Sequence, residues 1–440
     1  NIIIKLKKWC CKMDLFEQFD DSQSLFVDNY EPEIENIYLA NEENALQFIS
    51  RIIPIKNKVS RDYYLGNKLK GMIEKQFLNV ISNIEFPNKA SLQQKLEILS
   101  DKLVEEKRYS ILNNRVVIGL GGKFSSGKSK FINSILHAGE ELLPEDQNPT
   151  TSIPTYIVQG KVEEINAYTN NGEKVVLDKE ALQALTHHFY RKYNIGFSSF
   201  IHSLIVTEPD MPYSNIAFLD TPGYNKADNI EDIKLKKGES DECKAYEQLR
   251  KVDFLIWLMD IENGVIQQND IEFIKSLNLN TPILIVINKI DKKTDADVEK
   301  IVSLVKSTVL ASGISLYDVA AYSSLDNKEW SNKDCINQFI LSAINNGIKR
   351  EDVLIQIQKI KKTISAELND NEQFWVDNRN SLSHIIANSE SILEIQSVVN
   401  LYGDSLEELR KNRIGIRKFN SYMKRLEDDL NKFYKESAYE

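Results

Sequence analysis

The sequence predicts an α/β fold: a mostly parallel sheet in the middle of the chain, flanked before and after by helices that form a bundle. Three observations lead there. Apolar runs at residues 116–120, 254–259 and 283–287 are short and uninterrupted, as strands buried on both faces of a parallel sheet are. Helical patterns follow each run, and that alternation implies helices on both faces of the sheet. Residues 1–112 and 349–440 instead carry apolar side chains at spacings of three and four, the signature of helices with one buried face.

A chain of 440 residues is too long for one ordinary core. It divides into an N-terminal helical segment (1–112), a middle domain (113–348) and a C-terminal helical segment (349–440). In the first, Leu69, Ile73, Phe77, Val80 and Ile84 share a helix face, and Leu92, Leu96, Leu99 and Leu103 repeat the pattern. Pro87 and Asn88 separate the two helices, and Ser91 with Gln94 reads as a capping box at the start of the second. In the last segment Val353, Ile357, Ile360, Ile364 and Leu368 form one stripe, and Ile392, Ile395 and Val399 belong to another. Neither terminal segment closes a core alone, so the two are expected to pack together as a bundle beside the middle domain.

The net charge of −10 counts against a general nucleic-acid binder, which needs a basic surface. Cys10, Cys11, Cys243 and Cys335 fit neither zinc-site nor disulfide spacing, which points to a reducing, cytoplasmic setting. No apolar run reaches the roughly 18 residues of a membrane-spanning helix, and no signal peptide is evident. Residues 1–12 precede the first methionine, Met13, and admit three readings: upstream sequence, the start of a fragment, or a small interfacial anchor built on Trp9, Cys10, Cys11, Lys7 and Lys8. His187 and His188 are adjacent and would diverge on a helix, so they read as structural or exposed.

Four motifs carry chemistry. Gly122-Lys-Phe-Ser-Ser-Gly127-Lys128-Ser129 fits G-x-x-x-x-G-K-[ST] between a strand and a helix. Glycine lets the backbone wrap phosphates, and the amides of Ser126, Gly127 and Lys130 at the helix start favour their charge. Lys128 is the candidate ligand of the β- and γ-phosphates, and the Ser129 hydroxyl of Mg²⁺. Asn288-Lys289-Ile290-Asp291 follows a buried strand. Asp291 there can accept from guanine N1–H and its exocyclic amine, which adenine does not match. Ser323 and Ser324 after the next strand are candidates for the loop behind the base. Asp220-Thr-Pro-Gly223 follows the apolar run 216–219. Asp220 can hold Mg²⁺ through water, and the Gly223 N–H can meet a γ-phosphate whose loss would release the polar segment 224–241. Asn148-Pro-Thr150-Thr151 precedes the strand at 155–158, and Thr151, chosen over Thr150, is the candidate to complete the Mg²⁺ sphere.

With these residues in view, the chain resembles the dynamin superfamily, and bacterial dynamin-like proteins in particular. The likeness lies in residues 122–129, the Leu142-Leu-Pro and Pro149-Thr-Thr151 stretches, 220–223 and 288–291. Lys128 and Asp220 lie 92 positions apart, more than small GTPases need, and the flanking helices match a neck and stalk. The resemblance implies GTP hydrolysis with Mg²⁺ and a monovalent cation, K⁺ or Na⁺. It also implies nucleotide-dependent pairing of heads, as a homodimer, a homo-oligomer or a hetero-oligomer with a related dynamin-like protein, and peripheral contact with the inner face of a membrane or its remodelling. Tyr224 stands where Ras-like proteins carry their catalytic glutamine, and Phe124 where eukaryotic dynamins carry one, while Ser125 matches the catalytic serine of dynamins. Lys123, an extra charge beside the phosphates, reads as solvated. The stretch 410–425 holds seven Lys or Arg and no acid; with Ile416, Phe419 and Met423 on one face it reads as a bundle helix with a solvated basic face rather than a lipid-binding one, and Gly415 is a candidate break. Two other readings are a monomeric switch binding a protein effector and a non-remodelling subunit of a larger assembly.

Overall fold

A computed structural model describes residues 36–435 apart from 54–60, 83–87, 113–114, 137–141, 145–152, 186–188, 190–191, 194, 198–199, 224–240, 333 and 347–352. Residues 1–12, Ile84, Pro87, Asn148, Thr150, Thr151, His187, His188 and Tyr224 therefore lie outside the described residues.

The first described helix is α1 (Glu42–Ile52), capped by the Asn41 side chain on the Asn44 amide. Helix α2 starts at Arg61–Gly71, widens into a π-helical turn at Met72–Phe77 and ends at Leu78–Ile81. The wide turn shifts the apolar stripe onto Leu69, Met72, Ile73, Phe77 and Ile81, all buried. Helix α3 (Lys89–Arg108) begins two residues before Ser91. The expected capping box is thus inside the helix, and Asn88, left-handed at φ 64°, makes the entry turn.

Ten strands form one sheet in the order β10-β9-β8-β7-β1-β6-β2-β5-β3-β4. They are β1 (Val116–Gly122), β2 (Thr155–Gln159), β3 (Glu164–Thr169), β4 (Lys174–Leu177), β5 (Ile201–Glu208), β6 (Ile216–Asp220), β7 (Phe254–Asp260), β8 (Ile283–Asn288), β9 (Leu316–Ser323) and β10 (Lys328–Glu329). Strands β6, β1, β7, β8 and β9 run parallel. The direction reverses between β6 and β2. Strand β5 then runs parallel to β2, β3 antiparallel to β5, and β4 antiparallel to β3. Among the described residues the helices of this part are α4 (Lys128–Ile135), α5 (Lys179–Ala184), α6 (Asp241–Leu249), α7 (Gln268–Leu277), α8 (Asp295–Ala311) and α9 (Cys335–Asn345).

Successive strand residues face opposite ways, so the sheet feeds two cores. On one face Ile118, Leu120, Ile256, Leu258, Leu284 and Val286 meet Phe131 and Ile132 of α4 and Phe339 and Ile340 of α9. Phe48 and Ile52 of α1 belong to this core, not to the helical bundle. On the other face Leu255, Trp257, Ile285 and Ile287 pack with Leu249 of α6, Phe273 of α7 and Val305 of α8.

A third core lies in the helices. Helices α10 (Val353–Asn388) and α11 (Ile392–Lys435) form a long hairpin. Ile357, Ile360, Ile364 and Leu368 meet Phe419, Tyr422, Met423 and Leu426, and the stripes of α2 and α3 cover both. The apolar face of the basic stretch is therefore buried in the bundle. Gly415 does not break α11, which continues through it. Ile392 and Val399, expected in a buried stripe, are 75% and 47% exposed.

An ion-pair cluster joins α2 and α3 to the turn that follows α6. Asp101 takes Lys70 and Arg250, each at 3.0 Å, and Glu105 takes Lys251 at 2.8 Å. Burial alone would raise the Asp101 carboxyl, but Lys251, Lys70 and Arg250 hold it below the usual carboxylate range.

Candidate phosphate and guanine site

The site lies at the carboxyl ends of the parallel strands, where open α/β sheets place ligands. Strand β1 ends in Gly122 at φ 142°, where an added Cβ would sit 2.3 Å from the Leu258 carbonyl oxygen. Only glycine allows this approach, which turns the chain into the phosphate loop. The Lys123 carbonyl closes the loop by accepting from the Ser126 amide at 3.1 Å and the Ser126 hydroxyl at 2.8 Å. Ser125 is exposed at the rim. Helix α4 starts at Lys128, so its first amides face the loop.

Lys128 is buried, and its ammonium donates to the carbonyls of Gly122 and Lys123, each at 3.1 Å. Burial lowers its pKa to about 8, against the opposing pull of the Asp220 charge. The Ser129 hydroxyl donates to Asp220 Oδ2 at 2.7 Å. Asp220 is fully buried. That burial raises its carboxyl pKa, and Lys128, the Ser129 bond and the Thr221 amide offset it only in part. Its Oδ1 has no hydrogen-bond partner. The Ser129 hydroxyl and the Asp220 carboxylate, whose Oδ1 is orphaned, form the hard, oxygen-only donor set that suits Mg²⁺ bound beside phosphates. Among the described residues no three His, Cys, Asp or Glu cluster as a metal cage, and such a site does not need one.

Gly223 touches the same loop. A Cβ there would lie 2.5 Å from Phe124 Cα, so the turn after β6 presses directly on the phosphate loop. The Thr221 hydroxyl fixes that turn by donating to the Leu120 carbonyl at 2.6 Å.

Asn288 joins the phosphate and base halves. Its Nδ2 donates to the Ser126 carbonyl at 3.0 Å. Its Oδ1 accepts from the Ser324 hydroxyl at 2.8 Å, the Ser324 amide at 3.2 Å and the Lys289 amide at 2.8 Å. Lys289, left-handed at φ 64°, reaches back to the Ser125 carbonyl and to Asp260, each at 2.7 Å. The Ser323 hydroxyl lies 3.1 Å from Asp291 Oδ1 and 2.8 Å from Asp326. Tyr322, beneath this loop, stacks edge-on against Phe131 and bonds Ser134 of α4 at 3.1 Å.

The structure thus brings Gly122, Ser125, Ser126, Gly127, Lys128, Ser129, Lys130, Asp220 and Gly223 together around the phosphate loop, and Asn288, Lys289, Asp291, Ser323 and Ser324 beside it. Thr151 lies outside the described residues. One expectation is corrected: Lys123 is not solvated. Its ammonium bonds Gln267 and pairs with Asp270 at 3.7 Å, anchoring the loop to the start of α7. Burial raises the Asp270 carboxyl, with Lys123 opposing. Asp260, Gln267 and Asp270 escaped the sequence reading; the one available signal was Asp260 closing an apolar strand run as Asp220 does.

A glycine-rich phosphate loop, an Asp-x-x-Gly turn and an Asn-Lys-x-Asp loop on one parallel sheet define a P-loop GTPase. Residues 118–291 match the model of the Dynamin family, and residues 240–401 that of the elongation factor Tu GTP binding domain. The dynamin-family match thus covers residues 118–291, the part of the chain that carries the phosphate loop, the Asp-x-x-Gly turn and the Asn-Lys-x-Asp loop. The chain is similar to the "uncharacterized protein in xynA 3'region" of Caldicellulosiruptor sp., 22% identical over 76% of this chain and 82% of that one. It is also similar to dynamin-like protein 2 of Campylobacter jejuni, 23% identical over 58% of this chain and 39% of that one. Among solved structures it is similar to an oligomerised bacterial dynamin pair described as "a mechanism for the long range sensing and tethering of membranes", at 19% identity and TM-score 0.40, covering 83% of this chain and 53% of that one. The chain therefore spans well under two thirds of the length of both dynamin relatives.

Proposed function

We propose that the chain binds and hydrolyses GTP with Mg²⁺, that its G domains pair in the GTP state, and that the flanking helices move as neck and stalk. The observation that carries this is the Lys128–Asp220–Ser129 cluster, tied through Asn288 to the Asp291 loop. On entry of the triphosphate, Lys128 leaves the carbonyls of Gly122 and Lys123 for the β- and γ-phosphates, aided by the amides of Ser126, Gly127, Ser129 and Lys130. Ser129 and Thr151 would hold Mg²⁺, with Asp220 holding it through water, and the ion would supply charge neutralisation for the triphosphate. Gly223 reports the γ-phosphate through its N–H. Asp291 selects guanine, with Lys289, Ser323 and Ser324 shaping the base loop.

No glutamine stands beside the Asp-x-x-Gly turn to orient water. In this reading Ser125, exposed at the rim, and Thr151 complete the site with a monovalent cation, K⁺ or Na⁺, when a second head closes over it. The working division is a helical segment to about residue 112, a G domain over 113–348 and helices from 349 onward. The protein then works in the cytoplasm, touching the inner face of a membrane peripherally. No helix among the described residues is long and apolar enough to cross a membrane. GTP turnover across a protein dilution series, with and without anionic liposomes, tests the proposal. Specific activity that rises with protein or lipid supports it; activity flat across both refutes head pairing.

A further inference from the structure

A cavity of about 300 Å³ lies behind the base loop, at the low end of the sizes that small-molecule pockets take. Its floor is aliphatic, made by Ile135 at the end of α4 and by Ile336 and Ile340 of α9. Tyr213, from the loop before β6, and Tyr322 of β9 stand as walls. The polar lining is Asn327, Glu329, Asp334 and Asn337.

The hydrogen bonds here gather negative charge at the cavity mouth. Asp334 directly precedes α9, where an aspartate side chain ordinarily caps the helix amides. It does not do so. Glu329 instead accepts from the Cys335 amide at 2.8 Å and the Ile336 amide at 3.2 Å. Two amides do not exhaust the roughly four acceptor sites of a carboxylate. Asp334, left-handed at φ 51°, accepts from Asn337 Nδ2 at 3.1 Å, and Asn337 Oδ1 accepts from the Tyr213 hydroxyl at 3.1 Å. Among the described residues no lysine or arginine pairs with Asp334. Burial raises the hydroxyl pKa of both tyrosines. The Asp334 charge adds to that at Tyr213, and the Glu329 charge at Tyr322, where the Ser134 bond opposes.

Two carboxylates exclude an anion. Among the described residues no three His, Cys, Asp or Glu gather into a metal cage. An organic ammonium meets every part of the lining: it gives charge-assisted hydrogen bonds to carboxylates, is attracted to tyrosine ring faces, and lays its methylenes on isoleucine.

The cavity shares a wall with the base site. Tyr322 and Asn327 bracket residues 323–326. Within that loop Ser323 lies 3.1 Å from Asp291 and 2.8 Å from Asp326, and Ser324 donates to Asn288 at 2.8 Å. Ile135 ends the helix that Lys128 and Ser129 begin. A molecule held against Tyr322, Asn327 and Ile135 therefore braces both halves of the nucleotide site.

We infer that this cavity binds a short aliphatic diamine, its ammonium groups on Asp334 and Glu329, and that occupancy tightens guanine-nucleotide binding. The coupling rests on the reading of residues 288–291 and 323–324 as the base site; the diamine site does not.

The test titrates the full chain with 1,4-diaminobutane by calorimetry, first without nucleotide. One saturable site is expected. Asp334 is exposed, so Asp334→Asn should keep the parent unfolding temperature and weaken the diamine by about tenfold or more. Glu272→Gln, an exposed acid on the opposite face of the sheet, should leave it unchanged. Tyr213→Leu keeps both carboxylates and should weaken it by about fivefold. 1,4-Butanediol, of the same length without charge, should not bind. At matched ionic strength, saturating diamine should tighten GDP by about fivefold, and GDP should tighten the diamine by the same factor. No saturable binding, equal weakening by Asp334→Asn and Glu272→Gln, or equal binding of the diol would overturn the site. Diamine binding that leaves GDP affinity unchanged would overturn the coupling. A chain that takes the diamine and no GDP would refute the base site, and the coupling with it, while upholding the cavity.

Discussion

Replacing Asn288 with alanine should uncouple the phosphate loop from the base loop. The side chain is 1% exposed and makes one bond to the Ser126 carbonyl and three through Oδ1, to Ser324 twice and to the Lys289 amide. Truncation leaves the Ser126 carbonyl and two backbone amides without protein partners. Each buried unpaired group costs about 1–3 kcal/mol, and water entering the space recovers part of that. A net loss of about 2–4 kcal/mol in GDP binding follows, or roughly 30- to 1000-fold in affinity. Calorimetric titration of GDP reads it directly, and thermal unfolding without nucleotide should fall as well, since the bonds exist in the free protein. Lys292→Ala is the control. It removes an exposed pair with Glu262 at 2.6 Å, and GDP affinity and unfolding temperature should stay at the parent's values. GDP affinity within threefold of the parent in Asn288→Ala would refute the reasoning.

Three further outcomes follow from the same geometry. Lys128, with its pKa lowered to about 8 by burial, loses its charge in the free protein above that pH but must be charged against phosphate. Nucleotide affinity should thus be flat at neutral pH and fall about tenfold per unit above 8, as pH-resolved titration would show. The sign for stability is opposite. Between about 8 and the ordinary lysine value the unfolded chain binds more protons, so this group's penalty is relieved and unfolding without nucleotide becomes harder as pH rises. Gly223→Ala drives a Cβ to within 2.5 Å of Phe124 backbone, so GTP turnover should drop by about tenfold or more while GDP affinity changes only a few-fold, by kinetics and titration respectively. Lys123→Ala leaves the buried Asp270 carboxylate without its cation, with only the Gln267 amide beside it, and should cost about 1–3 kcal/mol in unfolding measurements, with part regained in the double variant Lys123→Ala, Asp270→Asn.

What the sequence disclosed depended on how local the physics is. Strands β1, β6, β7 and β8 are buried on both faces and read as unbroken apolar runs, and the motifs that follow three of them have spacing dictated by phosphate, Mg²⁺ and guanine. Strands β3 and β5 were not legible. Asn166, Thr169, Ser203 and Thr207 point inward on them, so neither a continuous nor an alternating apolar pattern appears. The stripe on α1 marks a helix, but periodicity cannot say that Phe48 buries against the sheet rather than the bundle. Lys123 looked solvated because its partner Asp270 lies 147 positions on, joined only by the fold. Ile392 and Val399 looked like core because apolar spacing marks a helix face, and not whether the fold covers that face; they are exposed.

Equilibrium binding of GDP and of ADP to the intact chain tests the central claim most directly. GDP should bind and ADP at least about a hundredfold more weakly, because adenine offers Asp291 no matching donors. Equal affinity for the two, or binding of neither, would contradict a site built on Lys128 and Asp291.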